Sequence, residues 1–468
     1  MLLIEIRDAG HTCPAGHRLA GRRRASITNL LRILAITAAI NAVCLSAQTG
    51  GARWSTPTLD EVNAIYPDIE ALYIDLHRHP ELAFQERETA AKLASRVQAL
   101  GFDVTTGVGR TGIVAVMKNG PGPTVMLRTE LDALPVEEKT GLPFASTVVI
   151  RNAAGQSTPV MHACGHDLHM SAWAGTARLM AEHRDRWRGT LIMVGQPAEE
   201  GGGGAAAMIT DGLFTRFPRP DFALSLHDDD TLPAGTIGYH PGYFRAMSDA
   251  VTLTVYGRGG HAAMPYNTVD PVVLAARIVL ALQTVVSREN NPVDPVVVTI
   301  GSIHGGTQAN IIPDEVRLQL SVRTYTPEVR ARTFAAIRRI AKGEAAASGA
   351  PREPELDVPG SGNAPVYNDP ALTLRLAGAL KKGLGDQSVV EMPQKMTSED
   401  FAEYGLAGVP SALLHIGAVD PEKLAQARAT GIPVPAPHSP EWVPEREPTI
   451  KAAIRAEVTE LLELLQGT

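Results

Sequence analysis

Short apolar runs separated by helical stretches are the feature that most restricts how this chain folds. Runs at 112–117, 124–127, 190–194, 222–226 and 411–416 read as buried strands, and a helical pattern over 168–183 stands between two of them. Leu76, Leu82, Leu93, Val97 and Leu100 fall in a pattern of three- and four-residue spacings, which predicts helix between 57 and 101. Strands alternating with helices pair in parallel, and a parallel sheet is covered on both faces. The expected fold is therefore α/β, a mostly parallel sheet with helices on both faces.

One stretch, 248–359, breaks that rhythm. Val251, Leu253 and Val255 alternate with Thr252, Thr254 and Tyr256, as in a half-exposed strand. A helix over 271–287, strands at 296–303 and 316–325, a helix over 327–347 and an extended piece near Glu355 follow. The order β-α-β-β-α-β is that of a ferredoxin-like α+β domain. It is read as a lid inserted into a main domain of residues 52–247 and 360–468, which closes on a helix over 449–465. At 468 residues the chain exceeds what one core usually organises.

Residues 1–47 read as a signal peptide: Arg22, Arg23, Arg24 and Arg32 precede an apolar stretch over 33–45, and Leu45-Ser46-Ala47 offers a cleavage site. The apolar stretch is short for a membrane span, so no stable membrane anchor is expected after cleavage. The expected location is exported, periplasmic or secreted. Residues before Arg22 are atypical of such a signal and point to a start codon further in, and the arginines match a twin-arginine signal only loosely. Of Cys13, Cys44 and Cys164, only the last would survive cleavage. A lone thiol in an oxidising compartment needs another role, such as metal ligation or burial. A net charge of −7 argues against nucleic acid as a partner.

The segment Met161-His162-Ala163-Cys164-Gly165-His166-Asp167-Leu168-His169 is the richest in chemistry. A thiolate and an imidazole two residues apart across a glycine can close on one metal if the backbone turns there. Glu199 and Glu200, in Gln196-Pro197-Ala198-Glu199-Glu200, come directly after the strand at 190–194. Ligands in open α/β sheets sit beyond the carboxyl ends of strands. Paired carboxylates there suit one metal ligand and one general base. The four glycines that follow lack the lysine and spacing of a phosphate loop. His227 ends the strand at 222–226, Asp132 follows another strand and suits an orienting role, and His438 sits in the proline-bracketed loop Ala436-Pro437-His438-Ser439-Pro440. Each of these residues alone is commonplace in a core or a solvated turn. Several strand ends that each deliver a metal-competent side chain are not.

Together with Arg128-Thr129-Glu130-Leu131-Asp132-Ala133-Leu134-Pro135, Gln196 to Gly204, Gly259-Gly260-His261-Ala262-Ala263-Met264-Pro265 and Asn310-Ile311-Ile312-Pro313, these motifs resemble the aminoacylase and carboxypeptidase family of dinuclear metallohydrolases. The resemblance is to the branch containing hippurate hydrolases and indole-acetyl-amino-acid hydrolases, and runs from about Leu76 to the C-terminus. It implies two divalent metal ions, Zn or Mn, held by Cys164, His166, Glu200, His227 and His438, with Cys164 bridging. Glu199 would be the general base toward a metal-bridging water that attacks the amide of an N-acyl amino acid. The inserted domain would act as lid and homodimer surface, with His261 reaching a neighbouring site and Asn310 and Arg323 holding the substrate near its carboxylate. Three departures stand out: Glu130 where that branch has Asp, Asp228-Asp229-Asp230 where apolar or aromatic residues are usual, and the residues before Glu399-Asp400-Phe401.

His77 and His79 lie two apart on a predicted helix and point to different faces, so packing explains them better than a shared metal. His162 and His169 flank the cluster and suit outer-shell roles. A metallo-carboxypeptidase or dipeptidase needs the same chemistry with a different pocket. A periplasmic binding protein for small acylated molecules would not need a base beside the ligands, and a silent relative would not retain all of them.

Overall fold

The computed structural model describes residues 55–151, 155–201, 203–358 and 363–465. Residues 1–47, expected to be a signal peptide, lie outside them. The chain enters at Thr58, whose hydroxyl caps the helix Leu59–Arg78 in a reciprocal box with Glu61. The helix expected between 57 and 101 is two, Leu59–Arg78 and Arg87–Ala99.

The central sheet has eight strands in the order Asp103–Val108, Gly112–Asn119, Gly189–Gln196, Thr124–Glu130, Phe222–Pro233, Ser411–Val419, Ile237–Tyr239 and Val389–Glu391. Its middle is parallel: Thr124–Glu130 runs alongside both Gly189–Gln196 and Phe222–Pro233, which runs alongside Ser411–Val419. Antiparallel pairs occur toward both edges.

The pleat explains why these runs are apolar throughout. Along Gly189–Gln196, Leu191 and Met193 enter one core, while Ile192 and Val194 enter the other. The first core is covered by Leu59–Arg78, Arg87–Ala99, His166–Glu182, Pro370–Leu384 and Arg446–Leu465. Met208, Leu213, Phe401 and Tyr404 cover the second. This is mixed α/β with a large, mostly parallel sheet.

A second sheet is antiparallel, with four strands in the order Val297–His304, Glu315–Thr324, Met247–Tyr256 and Glu355–Asp357. The helices Pro271–Thr284 and Pro327–Ala347 pack on it around Leu253, Leu318, Ile278 and Ile337, a hydrophobic core of its own. In chain order its elements run β-α-β-β-α-β.

The strand expected at 222–226 runs on to Pro233 and carries the first two residues of the acidic triplet inward. Asp228 and Asp229 are buried. Burial is tolerable because each carboxylate meets donors: Asp228 takes Trp442 Nε1 at 3.1 Å, and Asp229 takes His415 Nδ1 at 2.6 Å.

Candidate metal centre

The carboxyl ends of Thr124–Glu130, Gly189–Gln196 and Phe222–Pro233 open on the same side of the sheet. Gly165 sets the first candidate pair. It sits in the left-handed region at φ 73°, and a side chain there would meet Asp228 Oδ2 at 2.5 Å, so only glycine fits. The turn leaves Cys164 buried just ahead of the helix His166–Glu182, whose first residue is His166. His166 Nδ1 lies 2.8 Å from the carbonyl of Asp132 and donates to it. Its Nε2 is buried with no partner. A ring nitrogen fixed from behind and bare in front is how a metal-bound imidazole is held.

Asp132 places the next pair. Its Oδ1 accepts the amide of Glu199 at 3.1 Å and its Oδ2 that of Glu200 at 3.0 Å. One carboxylate thus pins the turn that follows Gly189–Gln196, where Ala198 takes φ 51°. His227 donates from Nδ1 to the carbonyl of Asp228 at 2.8 Å, which turns its Nε2 to within 3.6 Å of Cys164 Sγ. His438, at φ 72°, is tied through its amide to the carbonyl of Ala163 at 2.7 Å. Its Nε2 lies 3.0 Å from Glu200 Oε1, without the alignment of a hydrogen bond.

Among the trios of donor atoms that lie within 4.8 Å of one another are Cys164 with His166 and His227, and Cys164 with Glu200 and His438. They share the sulfur. A thiolate common to two sets, completed by imidazoles and a carboxylate, fits two divalent cations held side by side.

The electrostatics point the same way. Burial, then Glu200, Asp228 and Glu199, push the Cys164 thiol well above its usual range. Burial, then Glu399 and Glu200, push Glu199 well up. Burial also opposes charge on Glu200, but His438 and His166 hold that carboxyl down. Burial disfavours a charged His166, yet Asp132, Glu130 and Glu200 raise it to about 10. So many acids around one sulfur are in excess of the local cations, and bound metal would redress the balance.

Behind these donor atoms lies a buried network that the sequence did not disclose. Arg128 contacts Gln196 Oε1 at 2.9 Å, Glu399 Oε1 at 2.8 Å and Asp400 Oδ1 at 3.0 Å, and pairs with Glu130. Glu130 Oε2 meets His169 Nδ1 at 3.0 Å, and His169 Nε2 accepts the amide of Asp228 at 2.8 Å. The longer Glu130 thereby links Arg128 to the shell behind His227. A lone arginine inside an apolar strand run was the available signal. His77, 2% exposed, meets Asp167 Oδ2 at 2.6 Å while His79 stays exposed, so the two do point apart. His162 is buried with both ring nitrogens unpartnered and touches no ligand through a hydrogen bond.

The cleft in front of the cluster measures about 790 Å³, suited to a small molecule. Cys164, Glu199, Glu200, His227 and His438 line it, and so does Arg323. His261 and Asn310 do not. They lie together on an exposed ribbon, Gly260–His261 paired with Ile311–Ile312, where the amide of Ala262 donates to the carbonyl of Asn310.

Residues 126–430 match the family model described as peptidase family M20/M25/M40. The N-acetyl-L-cysteine deacetylase of Bacillus subtilis (strain 168) is 35% identical over 347 residues, 73% of this chain and 78% of that protein. The N-acetyldiaminopimelate deacetylase of Lactobacillus helveticus (strain DPC 4571) is 35% identical over 366 residues, 77% of this chain and 91% of that protein. Among solved structures, the Bacillus subtilis YXEP protein, a dinuclear metal binding peptidase from the M20 family, superposes with a TM-score of 0.68 at 29% identity, covering 86% of this chain and 99% of that one.

Proposed function

The chain belongs to peptidase family M20/M25/M40, and from that premise we propose that it is a metal-dependent amidohydrolase cleaving the amide bond of N-acyl amino acids. The observation that carries the reading is the pair of donor trios sharing Cys164, with Glu199 beside them. Glu199 lines the cleft with its nearest oxygen 3.9 Å from His166 Nε2, and its carboxylate makes no hydrogen bond among the described residues. It is free to move a proton.

In this reading Cys164, His166, Glu200, His227 and His438 would hold two divalent cations, which would supply an activated water at neutral pH and polarise the amide carbonyl. Glu199 accepts one proton of the attacking water at its carboxylate and returns it to the leaving nitrogen as the C–N bond breaks, giving a free amine and a carboxylic acid, which loses its remaining proton to solvent. Asp132 keeps Glu199 in place through the backbone. Arg323 holds the substrate near its carboxylate. The thiolate and imidazoles favour zinc, and the carboxylate leaves room for manganese.

His261 and Asn310 enter only through a second copy of the chain, where His261 would stabilise the oxyanion. Support for pairing comes from the second sheet: Val272, Val273 and Leu280 are exposed on Pro271–Thr284, and Val297–His304 is an open edge strand. One preparation reads both this and export: the expected native mass is that of two chains, and the expected mature N-terminus follows Ala47. A monomeric mass with full activity would remove His261 from the mechanism.

The function itself is tested by metal-reconstituted hydrolysis of N-acetyl, N-benzoyl and dipeptide substrates with a chelator control. Turnover of N-acyl amino acids that the chelator abolishes is expected. Turnover indifferent to the chelator would sink the reading.

A further inference from the structure

Next to the donor cluster, the cleft wall carries a cation that meets no carboxylate among the described residues. Arg245, at the end of the strand Gly242–Arg245, is 6% exposed and lines the cleft. Its side-chain hydrogen bonds all run to a single atom, His415 Nε2, from Nε at 3.3 Å and from Nη2 at 3.1 Å. His415 does not supply the opposing charge. Its Nδ1 donates to Asp229 Oδ2, which leaves Nε2 as a lone-pair acceptor. Asp229 is itself shared with Lys395, which also lies 3.5 Å from Asp230. Asp229 and His415 therefore clamp the guanidinium along its Nε–Nη2 edge and leave the Nη1–Nη2 edge unpartnered among the described residues.

Two more cations line the same cleft, Lys395 and Arg323. The backbone brings them together: Arg245 bridges to Lys395, and Arg323 pairs with Ser248 across neighbouring strands. Burying a charge without a direct counter-ion is costly, so a fold that clamps one in this position has a use for it. The planar guanidinium edge suits a carboxylate. One carboxylate already has its place at Arg323 in the reading above.

We propose that the substrate carries a second carboxylate, and that Arg245, clamped by His415 and flanked by Lys395, selects it. This rests on the amidohydrolase reading and narrows it to N-acyl amino acids with two acid groups. The second carboxylate stands either on the amino-acid side chain or at the far end of the acyl group. The acidic triplet thereby acquires a role, because Asp229 orients the imidazole that holds Arg245.

The test compares kcat/KM for two isosteric pairs: N-acetyl-L-glutamate against N-acetyl-L-glutamine, and N-succinyl-L-alanine against its succinamoyl analogue. In the wild-type holoenzyme the acid of one pair is expected to exceed its amide by about tenfold or more, largely in KM, and the pair that responds identifies the source. Arg245→Met should bring that ratio to about one, and Arg245→Lys should keep part of it. Ratios are read within each protein, so incomplete folding or metal loading cancels. No preference in either pair, or an unchanged ratio in Arg245→Met, overturns the proposal. If neither pair is hydrolysed, the amidohydrolase reading fails first. Calorimetric binding of the same four compounds to the metal-loaded protein then decides: tighter binding of an acid than its amide, lost in Arg245→Met, supports the subsite, and equal binding overturns it.

Discussion

Glu199→Gln is expected to lower kcat by roughly 10²–10⁴-fold while leaving two metal equivalents bound, because general-base transfer typically contributes that much. The substitution is isosteric, and Asp132 holds this turn through the amides of Glu199 and Glu200, so the loop keeps its place. Glu199 belongs to neither trio that shares Cys164, and its own grouping, with His166 and Glu200, lacks the shared sulfur. What disappears is the capacity to take a proton. Burial and the neighbouring acids Glu399 and Glu200 raise the Glu199 carboxyl in the metal-free protein. Cations nearby would oppose that rise and favour the ionised carboxylate that takes up a proton. The loss should therefore fall on kcat, with KM changed little. Steady-state kinetics beside metal analysis of the same sample check it. A variant within tenfold of wild type would remove Glu199 from the role of base.

Cys164→Ser should go further and bring activity to background through loss of metal. Its sulfur is the one atom common to both trios. Burial and the surrounding carboxylates oppose the thiolate, so in the bare protein the thiol stays protonated, and bound cations are what would hold it ionised. A serine hydroxyl ionises far less readily and is a harder donor than zinc favours. Metal content is expected to drop from two equivalents to below one. His438→Ala, which touches a single trio from an exposed loop, should lose about one equivalent. Two equivalents retained in Cys164→Ser would show that metal binding does not depend on the shared sulfur.

Much of this site was legible from local signals. The Cys164-Gly165-His166 turn depends on the left-handed conformation of one glycine, which the spacing already suggested. Glu199, Glu200 and His227 follow apolar runs directly, and the carboxyl ends of parallel strands are where ligands collect. Other parts left no local trace. Asp228–Asp230 read as polar residues beyond a strand, yet the strand continues through them, because their partners arrive from elsewhere in the chain: His169, His415, Lys395 and Trp442. His77 read as packing, and its partner Asp167 is 90 residues away. His261 and Asn310 stand out by motif alone, and only the fold puts them on an exposed ribbon outside this chain's cleft.

By itself the sequence determined what depends on neighbours along the chain: which runs become strands, where helices begin, and which donor atoms stand at strand ends. Periodicity and backbone preference act over a few residues, so a single chain displays them openly. The tertiary structure alone decided which buried charges meet. That pairing depends on distance in space, and a carboxylate such as Asp229 is stable in the interior only because donors from Ser411–Val419 and from Lys395 converge on it. It decided, too, that Arg245 stands at the cleft with one edge of its guanidinium held and the other open.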